Sequence, residues 1–194
     1  MSKGRRAQAF LAVAAVAGTL FAAVVDSPAR ELTDTTGPED PLGPLGVLVG
    51  SWSGEIEGRL GSGKGVRRYQ RAMSGRFLLC RHTSVRLPQE KSPGGDQHEE
   101  LGVFSFDRER KRISYREFMI EGIVVLSTCE IEGATVVCTS ESVENGPGIR
   151  ARLTLEITDR YRFTERYELA WPGKDLELSF TNRWTRTPVL EGGD

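Results

Sequence analysis

Histidine and cysteine are scarce in this sequence, with 2 and 3 residues among 194. Neither type shows the Cys-x-x-Cys or His-x-x-x-His spacing of a metal site built by the protein itself. A Gly-x-Ser-x-Gly nucleophile motif is also absent. We therefore expect His82 and His98 to be surface or hydrogen-bonded side chains, with ligation of a metal or haem by one of them as the alternative. No cofactor is predicted.

An excess of charge of one sign is missing as well. The 26 basic and 27 acidic residues leave a formal net charge of −1. Such a balance gives no bulk attraction to nucleic acid or to an anionic membrane surface. We therefore expect no nucleic-acid partner.

A long hydrophobic run occurs only near the N-terminus. Basic residues precede the charge-free run 9–25, and small residues follow it up to Ala29. This layout predicts a signal peptide over residues 1–29, and hence a periplasmic or secreted protein with no stable membrane association after cleavage. The alternative is an uncleaved anchor, for which the run is slightly short. Three prolines and several acids predict a flexible leader over residues 30–45.

From residue 46 onward, turn signals recur about every ten residues and no segment shows a helical period. The pattern predicts an all-β domain over residues 46–188, followed by a tail at 189–194. We expect ten antiparallel strands connected up-and-down and closed into a barrel, because closure removes unpaired strand edges. The predicted strands are residues 51–58, 66–73, 76–87, 98–106, 112–118, 123–130, 135–143, 149–157, 161–171 and 176–186.

Trp52 is the large side chain at the start of the first predicted strand, and we expect it to plug one end of the barrel. The first and last strands of a closed barrel are neighbours. An arginine of the last strand, Arg183 or Arg186, is therefore expected to stack on the indole of Trp52.

Charged residues on the apolar parity of their strands indicate the interior. Four charged residues have this parity, Arg68, Arg81, Glu117 and Glu165. If they face inward, the two cations and two anions need pairing or hydration, as in a polar cavity for a small ligand. Alternatively, a bulge shifts the parity and these charges lie on the surface or form structural ion pairs. The adjacent Glu99 and Glu100 are predicted at a solvated strand end. The predicted lining of the cavity is Trp52, Arg68, Arg81, Tyr115, Glu117, Glu165 and Tyr167.

The cysteines allow one disulfide and leave one thiol. If Gly133-Ala134 forms a two-residue turn, Cys129 lies directly opposite Cys138, at a distance that a disulfide can span. If Glu132-Gly133 forms the turn, Cys129 faces Val136 and the bridge fails. Export to an oxidising compartment favours the pairing. Cys80 is then expected to be a buried thiol.

Five short segments carry a resemblance to known proteins: LVGSWSG at 48–54, SGRFL at 74–78, GVFSFD at 102–107, EGIV at 121–124 and RWTR at 183–186. In this order they resemble a family of small, often exported bacterial domains of unknown function. Those domains are grouped with the calycin-like barrels, which include lipocalins and the haem-binding nitrobindins. The resemblance implies a ten-stranded barrel and no particular activity. Nitrobindins bind haem through a histidine late in the chain, and no histidine follows His98 here.

The sequence is compatible with three functions. The first is an exported barrel that binds a small polar or amphipathic molecule. The second is a barrel enzyme, an isomerase or hydrolase, with Glu165 or Glu117 as general base, which requires an unpaired carboxylate in an apolar pocket. The third is an interaction module whose interior is filled by side chains.

Overall fold

The computed structural model describes residues 40–188. The predicted signal peptide, residues 30–39 of the predicted leader and the predicted tail lie outside this range. Among residues 40–188, no helical segment has the length and hydrophobicity that a membrane span requires.

Ten antiparallel strands close into a single barrel, which confirms the predicted fold class. Each strand pairs with its neighbours in sequence, and β1 pairs with β10 to complete the ring. The strands are β1 Gly50–Gly58, β2 Gly61–Ala72, β3 Phe77–Arg86, β4 Asp96–Asp107, β5 Arg112–Met119, β6 Val124–Glu132, β7 Thr135–Glu144, β8 Arg150–Asp159, β9 Arg162–Ala170 and β10 Glu177–Arg186.

Alternation of side chains explains why these segments form a barrel wall. Along β8, Ala151, Leu153 and Leu155 are buried, whereas Arg150 and Glu156 are exposed. Successive residues of a strand point to opposite faces, so one face of β8 builds the core and the other meets water.

A short 3₁₀ helix, Gly43–Leu48, closes one end of the barrel, and we call this the closed end. Leu42, Leu45 and Leu48 are almost completely buried there, in one cluster with Trp52. Asp40 anchors this segment to the barrel wall through a 2.9 Å ion pair with Arg71 of β2. Residues 40–45 are therefore part of the domain, and their prediction as a flexible leader is wrong. Their leucines contribute to the core, which outweighs the turn-forming composition.

Trp52 lies at the closed end, where its indole nitrogen and its ring both have polar partners. Its Nε1 donates to the carbonyl of Leu48 at 2.7 Å. The guanidinium of Arg186 stacks 4.2 Å from the centre of the indole and donates to the carbonyls of Val47 and Val49. The other candidate, Arg183, is exposed and pairs with a surface glutamate.

Glycine in β1 makes room for the second interior tryptophan. A Cβ atom added at Gly54 would lie 2.5 Å from Cε3 of Trp184, closer than real atoms approach. Trp184 of β10 is 1% exposed and fills the barrel centre. This close approach explains why the first strand has glycine there.

Cys129 and Cys138 form a disulfide between β6 and β7. The two residues are direct cross-strand partners, because Glu132 pairs with Thr135 and the turn is Gly133-Ala134. Gly133 has a φ of 60°, a conformation that glycine adopts without strain. The first of the two predicted registers is thus the one present, and Cys80 is a buried thiol.

Candidate functional site

The interior beyond the closed end contains a buried charge network. Its centre is Arg67 of β2, which is 2% exposed. Arg67 Nη1 donates to Glu165 Oε1 at 3.0 Å and to the hydroxyl of Tyr69 at 3.3 Å. Its guanidinium also lies 4.9 Å from the centre of the Trp184 ring. Burial lowers the pKa of Arg67, but the negative charge of Glu165 and other nearby acidic groups outweighs burial and raises it.

Glu165 has partners at both carboxylate oxygens. Oε1 accepts from Arg67, and Oε2 accepts from Asn182 Nδ2 at 2.9 Å and from Trp184 Nε1 at 2.8 Å. A buried carboxylate is tolerable only with this degree of pairing. Glu165 is therefore a structural anion, and none of its oxygens is free to accept a proton from a bound molecule.

Glu100 of β4 extends the network toward β5. It is buried, with 7% of its side chain exposed, and Oε1 accepts a 2.9 Å hydrogen bond from the Tyr115 hydroxyl. Burial raises the pKa of Glu100, but His82, Arg67 and Tyr115 outweigh burial and lower it to about 2. The prediction that Glu100 is solvated is wrong, because in the paired sequence Glu99-Glu100 only Glu99 faces outward.

His82 of β3 lies between the arginine and this glutamate. Its Nδ1 is 3.2 Å from Arg67 Nη2 and 3.5 Å from Glu100 Oε2. Burial and the charge of Arg67 lower the pKa of His82, so the ring is neutral at pH 7. Arg67 Nη2 can only donate and Glu100 Oε2 can only accept, so the tautomer of His82 decides which of the two contacts is a hydrogen bond.

Glu117 and Tyr167 form a second polar contact across the interior. The Tyr167 hydroxyl donates to Glu117 Oε2 at 3.4 Å, and no arginine or lysine among the described residues pairs with Glu117. Burial and the nearby charges of Glu100 and Glu165 raise its pKa well above the ordinary value. Glu117 is thus protonated over a wider pH range than an exposed glutamate.

A cavity of about 300 Å³ lies at the end of the barrel opposite the 3₁₀ helix, and we call this the open end. Apolar side chains from several strands form most of its wall, and the buried network supplies polar side chains to its floor. Its wall includes Ile56, Leu60, His82, Ser84, Arg86, His98, Glu100, Met119, Ile123, Val125, Val143, Ala151, Tyr167, Leu169, Trp171, Phe180 and Asn182.

Three polar atoms of residues that line the cavity are buried without a hydrogen-bond partner among the described residues. They are Asn182 Oδ1, His82 Nε2 and Arg86 Nε. Asn182 is oriented by its Nδ2, which donates to Glu165, so its oxygen is the unpaired atom. Buried polar atoms without partners cost free energy, and functional sites are where proteins tolerate them.

The predicted site residues separate into three groups in the structure. Tyr167 lines the cavity. Trp52, Tyr115, Glu117 and Glu165 are buried but belong to the closed end or to the network beneath the cavity. Arg68 and Arg81 are exposed on the outer face of the barrel, so their prediction as cavity residues is wrong.

Arg68 and Arg81 were predicted to face inward because the apolar residues of β2 and β3 do not mark the inner face. Val66, which set the predicted parity of β2, is itself 60% exposed, and the inward residue is Arg67. In β3 both faces carry apolar residues, so parity alone does not choose between Arg81 and His82. Arg68 and Arg81 are direct cross-strand partners, and facing inward they would place two like charges together in the interior.

The sequence did not predict that Arg67, Glu100 and Asn182 belong to the site, and it predicted His82 and His98 only as surface or hydrogen-bonded side chains or as a single ligand. His82 and Glu100 are opposite each other on β3 and β4, as are Ser84 and His98. A hairpin brings these residues together across a long loop, so no local spacing reveals them. The usable signal was the pairing of β2 with β3, because the buried Tyr69 requires its partner Cys80, and hence His82, to face inward.

Comparisons with known proteins support the barrel fold. No protein-family model matches the chain, and no curated protein matches it. A crystal structure of Rv2717c from M. tuberculosis is similar, with a TM-score of 0.56 and 15% identity over 76% of this chain and 98% of that chain. A redesigned β-barrel has a TM-score of 0.35 and 11% identity over 73% and 93% of the two chains. The likeness to Rv2717c shows a shared fold and nothing finer.

Proposed function

We propose that this protein is an exported calycin-like barrel that binds a small amphipathic molecule in the cavity at its open end. The observation that carries the proposal is the cavity itself, about 300 Å³ in volume. Ligand pockets of proteins span about 300–1,000 Å³, so a compact ligand fits. An interior filled by side chains, as an interaction module would have, does not leave such a space.

The wall and the floor of the cavity favour different parts of one molecule. Side chains such as Val125, Ala151 and Leu169 offer an apolar surface to a hydrocarbon or aromatic group. The floor offers Asn182 Oδ1, an acceptor without a partner, to a hydrogen-bond donor. A molecule with an apolar body and a hydrogen-bond donor at one end fits both the wall and the floor of the cavity.

A strongly anionic ligand is disfavoured by the charges beneath the cavity. Glu165 already pairs with Arg67 at 3.0 Å, and Glu100 adds a second negative charge 3.8 Å from the same arginine. The network therefore offers no unpaired cation to a carboxylate or phosphate. In the cavity wall, Arg86 pairs with Asp96 at 2.7 Å, and Arg59 is the other arginine among the described lining residues. A neutral ligand needs no such partner.

The enzyme alternative lacks a suitably placed base. Glu165 is fully paired. Glu117, whose pKa is raised by burial, contacts the cavity residue Tyr167 without belonging to the cavity wall itself. A general base must reach the proton that it removes. Binding therefore agrees with the geometry better than catalysis.

Export is part of the proposal and is supported by the cysteines. The Cys129–Cys138 disulfide is a bond that persists in oxidising compartments and is rare in the cytosol. It agrees with the signal peptide that the N-terminal sequence predicts. Haem is not part of the proposal, because the late histidine that the nitrobindin resemblance requires is missing.

The first test is binding of N-phenyl-1-naphthylamine, a neutral aromatic amine with one N–H donor, followed by its fluorescence. We expect one molecule bound per chain, with a blue-shifted emission. Ala151→Phe should abolish binding by filling the cavity, whereas Thr139→Phe should not. Thr139 is exposed on the adjacent strand β7 and makes a matched control.

Equal binding by the wild type and by a folded Ala151→Phe variant would contradict the cavity as the site, as would the absence of any binding. Native mass spectrometry of protein exported by its own signal complements the test. It should show a chain beginning near Arg30, and any molecule that is purified with the protein would identify the natural ligand class.

A further inference from the structure

Two histidines and one glutamate converge on the inner face of the β3–β4 hairpin. His82 is the cross-strand partner of Glu100, and His98 precedes Glu100 by two residues on the same face of β4. One ligand atom from each of these side chains lies within 4.8 Å of the others. Two imidazoles with one carboxylate form a donor set typical of Zn²⁺ and related divalent metals.

We infer that His82, His98 and Glu100 bind one divalent transition-metal ion at the cavity wall. The inference is independent of the organic ligand, because the three residues provide the donors by themselves. It also departs from the sequence-based expectation of no metal site, which depended on local spacing alone.

His98 already has the outer contact that metal-binding histidines use. Its Nδ1 lies 3.1 Å from Glu121 Oε1. A carboxylate on one ring nitrogen holds the proton there and orients the ring, which leaves the lone pair of Nε2 for an ion. Glu121 also lines the cavity, so this pair faces the proposed site.

The distance between the donor atoms of His82 and Glu100 is suited to binding the same metal ion. His82 Nδ1 and Glu100 Oε2 are 3.5 Å apart. Two ligands of a tetrahedral zinc, each at about 2.0–2.1 Å, are about 3.4 Å apart. The third donor must move closer, and His98 has the freedom to do so because 21% of its side chain is exposed.

The charges that face the cluster leave room for a divalent cation. Arg67 is the cation nearest to His82, and it keeps its 3.0 Å ion pair with Glu165. Glu100 and Glu121 then remain as two negative charges, which a divalent ion balances. An ion on His82 Nδ1 must replace the 3.2 Å contact of that nitrogen with Arg67 Nη2, so we expect weaker binding than in a structural zinc site.

The three protein donors leave a coordination position open toward the cavity, because all three side chains line it. Sites with three protein ligands hold water or an exogenous molecule in the fourth position. A bound ion would therefore be accessible to small molecules that enter the open end.

The test uses tag-free protein with its disulfide intact, stripped of metal by a chelator and titrated with Zn²⁺ by calorimetry and with Co²⁺ by visible absorption. We expect one ion per chain and a Co²⁺ d–d band that reports protein ligands. His98→Ala should abolish both signals. Glu121→Gln should weaken binding by about 10- to 100-fold, the usual effect of losing an outer carboxylate.

Glu99→Gln is the matched control, because Glu99 lies between the two β4 donors but is exposed on the outer face. It should bind metal as the wild type does. Circular dichroism and thermal unfolding should show that His98→Ala is folded. The inference is overturned if the wild type binds no stoichiometric metal, if folded His98→Ala binds equally well, or if Glu99→Gln loses as much affinity as His98→Ala.

Discussion

The closed and open ends of this barrel are built on opposite principles. At the closed end, Leu45 and Leu48 have no exposed surface, and the Trp52 nitrogen and the Arg186 guanidinium donate to backbone carbonyls. At the open end, a cavity of about 300 Å³ remains, and Asn182 and His82 keep buried atoms without partners. Close packing of side chains and pairing of polar atoms stabilise the fold at the closed end. At the open end, the cavity gives a ligand room, and the unpaired polar atoms can form hydrogen bonds with it.

The buried charge network separates these two ends, and breaking it should have the largest effect on stability. Glu165→Leu leaves Arg67 buried without its main partner. We expect a loss of about 3–5 kcal/mol in the free energy of unfolding, measured with urea. Glu57→Gln is the control, because Glu57 pairs with Arg183 on the surface and should cost less than about 1 kcal/mol. A similar cost for both variants would show that the network does not stabilise the fold.

A leucine of the closed end should affect stability but not binding. Leu45→Ala creates a cavity at a fully buried position and should cost about 2–5 kcal/mol. The affinity for N-phenyl-1-naphthylamine should stay within about twofold of the wild type, because additive effects are expected at sites without shared partners. Val143→Ala, in the cavity wall, should show the reverse: a smaller loss of stability and a clear change in affinity. If both variants lost stability and affinity to a similar extent, the closed end and the open end would not have separate roles.

The pH dependence of stability should identify Glu117 as a protonated interior group. Its pKa in the folded protein is raised above the unfolded value near 4.5. The folded state therefore holds this proton more tightly, and stability falls as the pH rises from the unfolded pKa to the folded one, by up to about 1.4 kcal/mol per pH unit. Glu117→Gln, which imitates the protonated form, should match the wild type near pH 4 and exceed it near pH 8. Parallel pH curves for the two proteins would show that the carboxyl is ionised in the fold.

The sequence was sufficient for the barrel and for part of its interior. β5 and β9 each have one apolar face, so Tyr115, Glu117, Glu165 and Tyr167 were placed inside correctly. β2 and β3 lack this asymmetry, because Val66 is exposed and β3 has apolar residues on both faces. Alternation therefore failed on β2 and β3, which carry Arg67 and His82.

The site itself could not be read from local spacing. His82 and Glu100 meet only through the pairing of β3 with β4, and Arg67 reaches Glu165 across the barrel. The leucines of residues 40–45 were hidden for a similar reason, because prolines and acids surround them in the sequence. Contacts between distant segments decide these features, and a single sequence does not display them.

The place where a ligand binds can be mapped by following backbone amide signals in NMR spectra as N-phenyl-1-naphthylamine is added. We expect shifts concentrated at the open end, at residues such as Val125, Ala151 and Asn182, with little change at Leu45 and Trp52 of the closed end. Shifts centred on the closed end, or spread over outer-face residues such as Arg68 and Arg81, would contradict binding in the cavity.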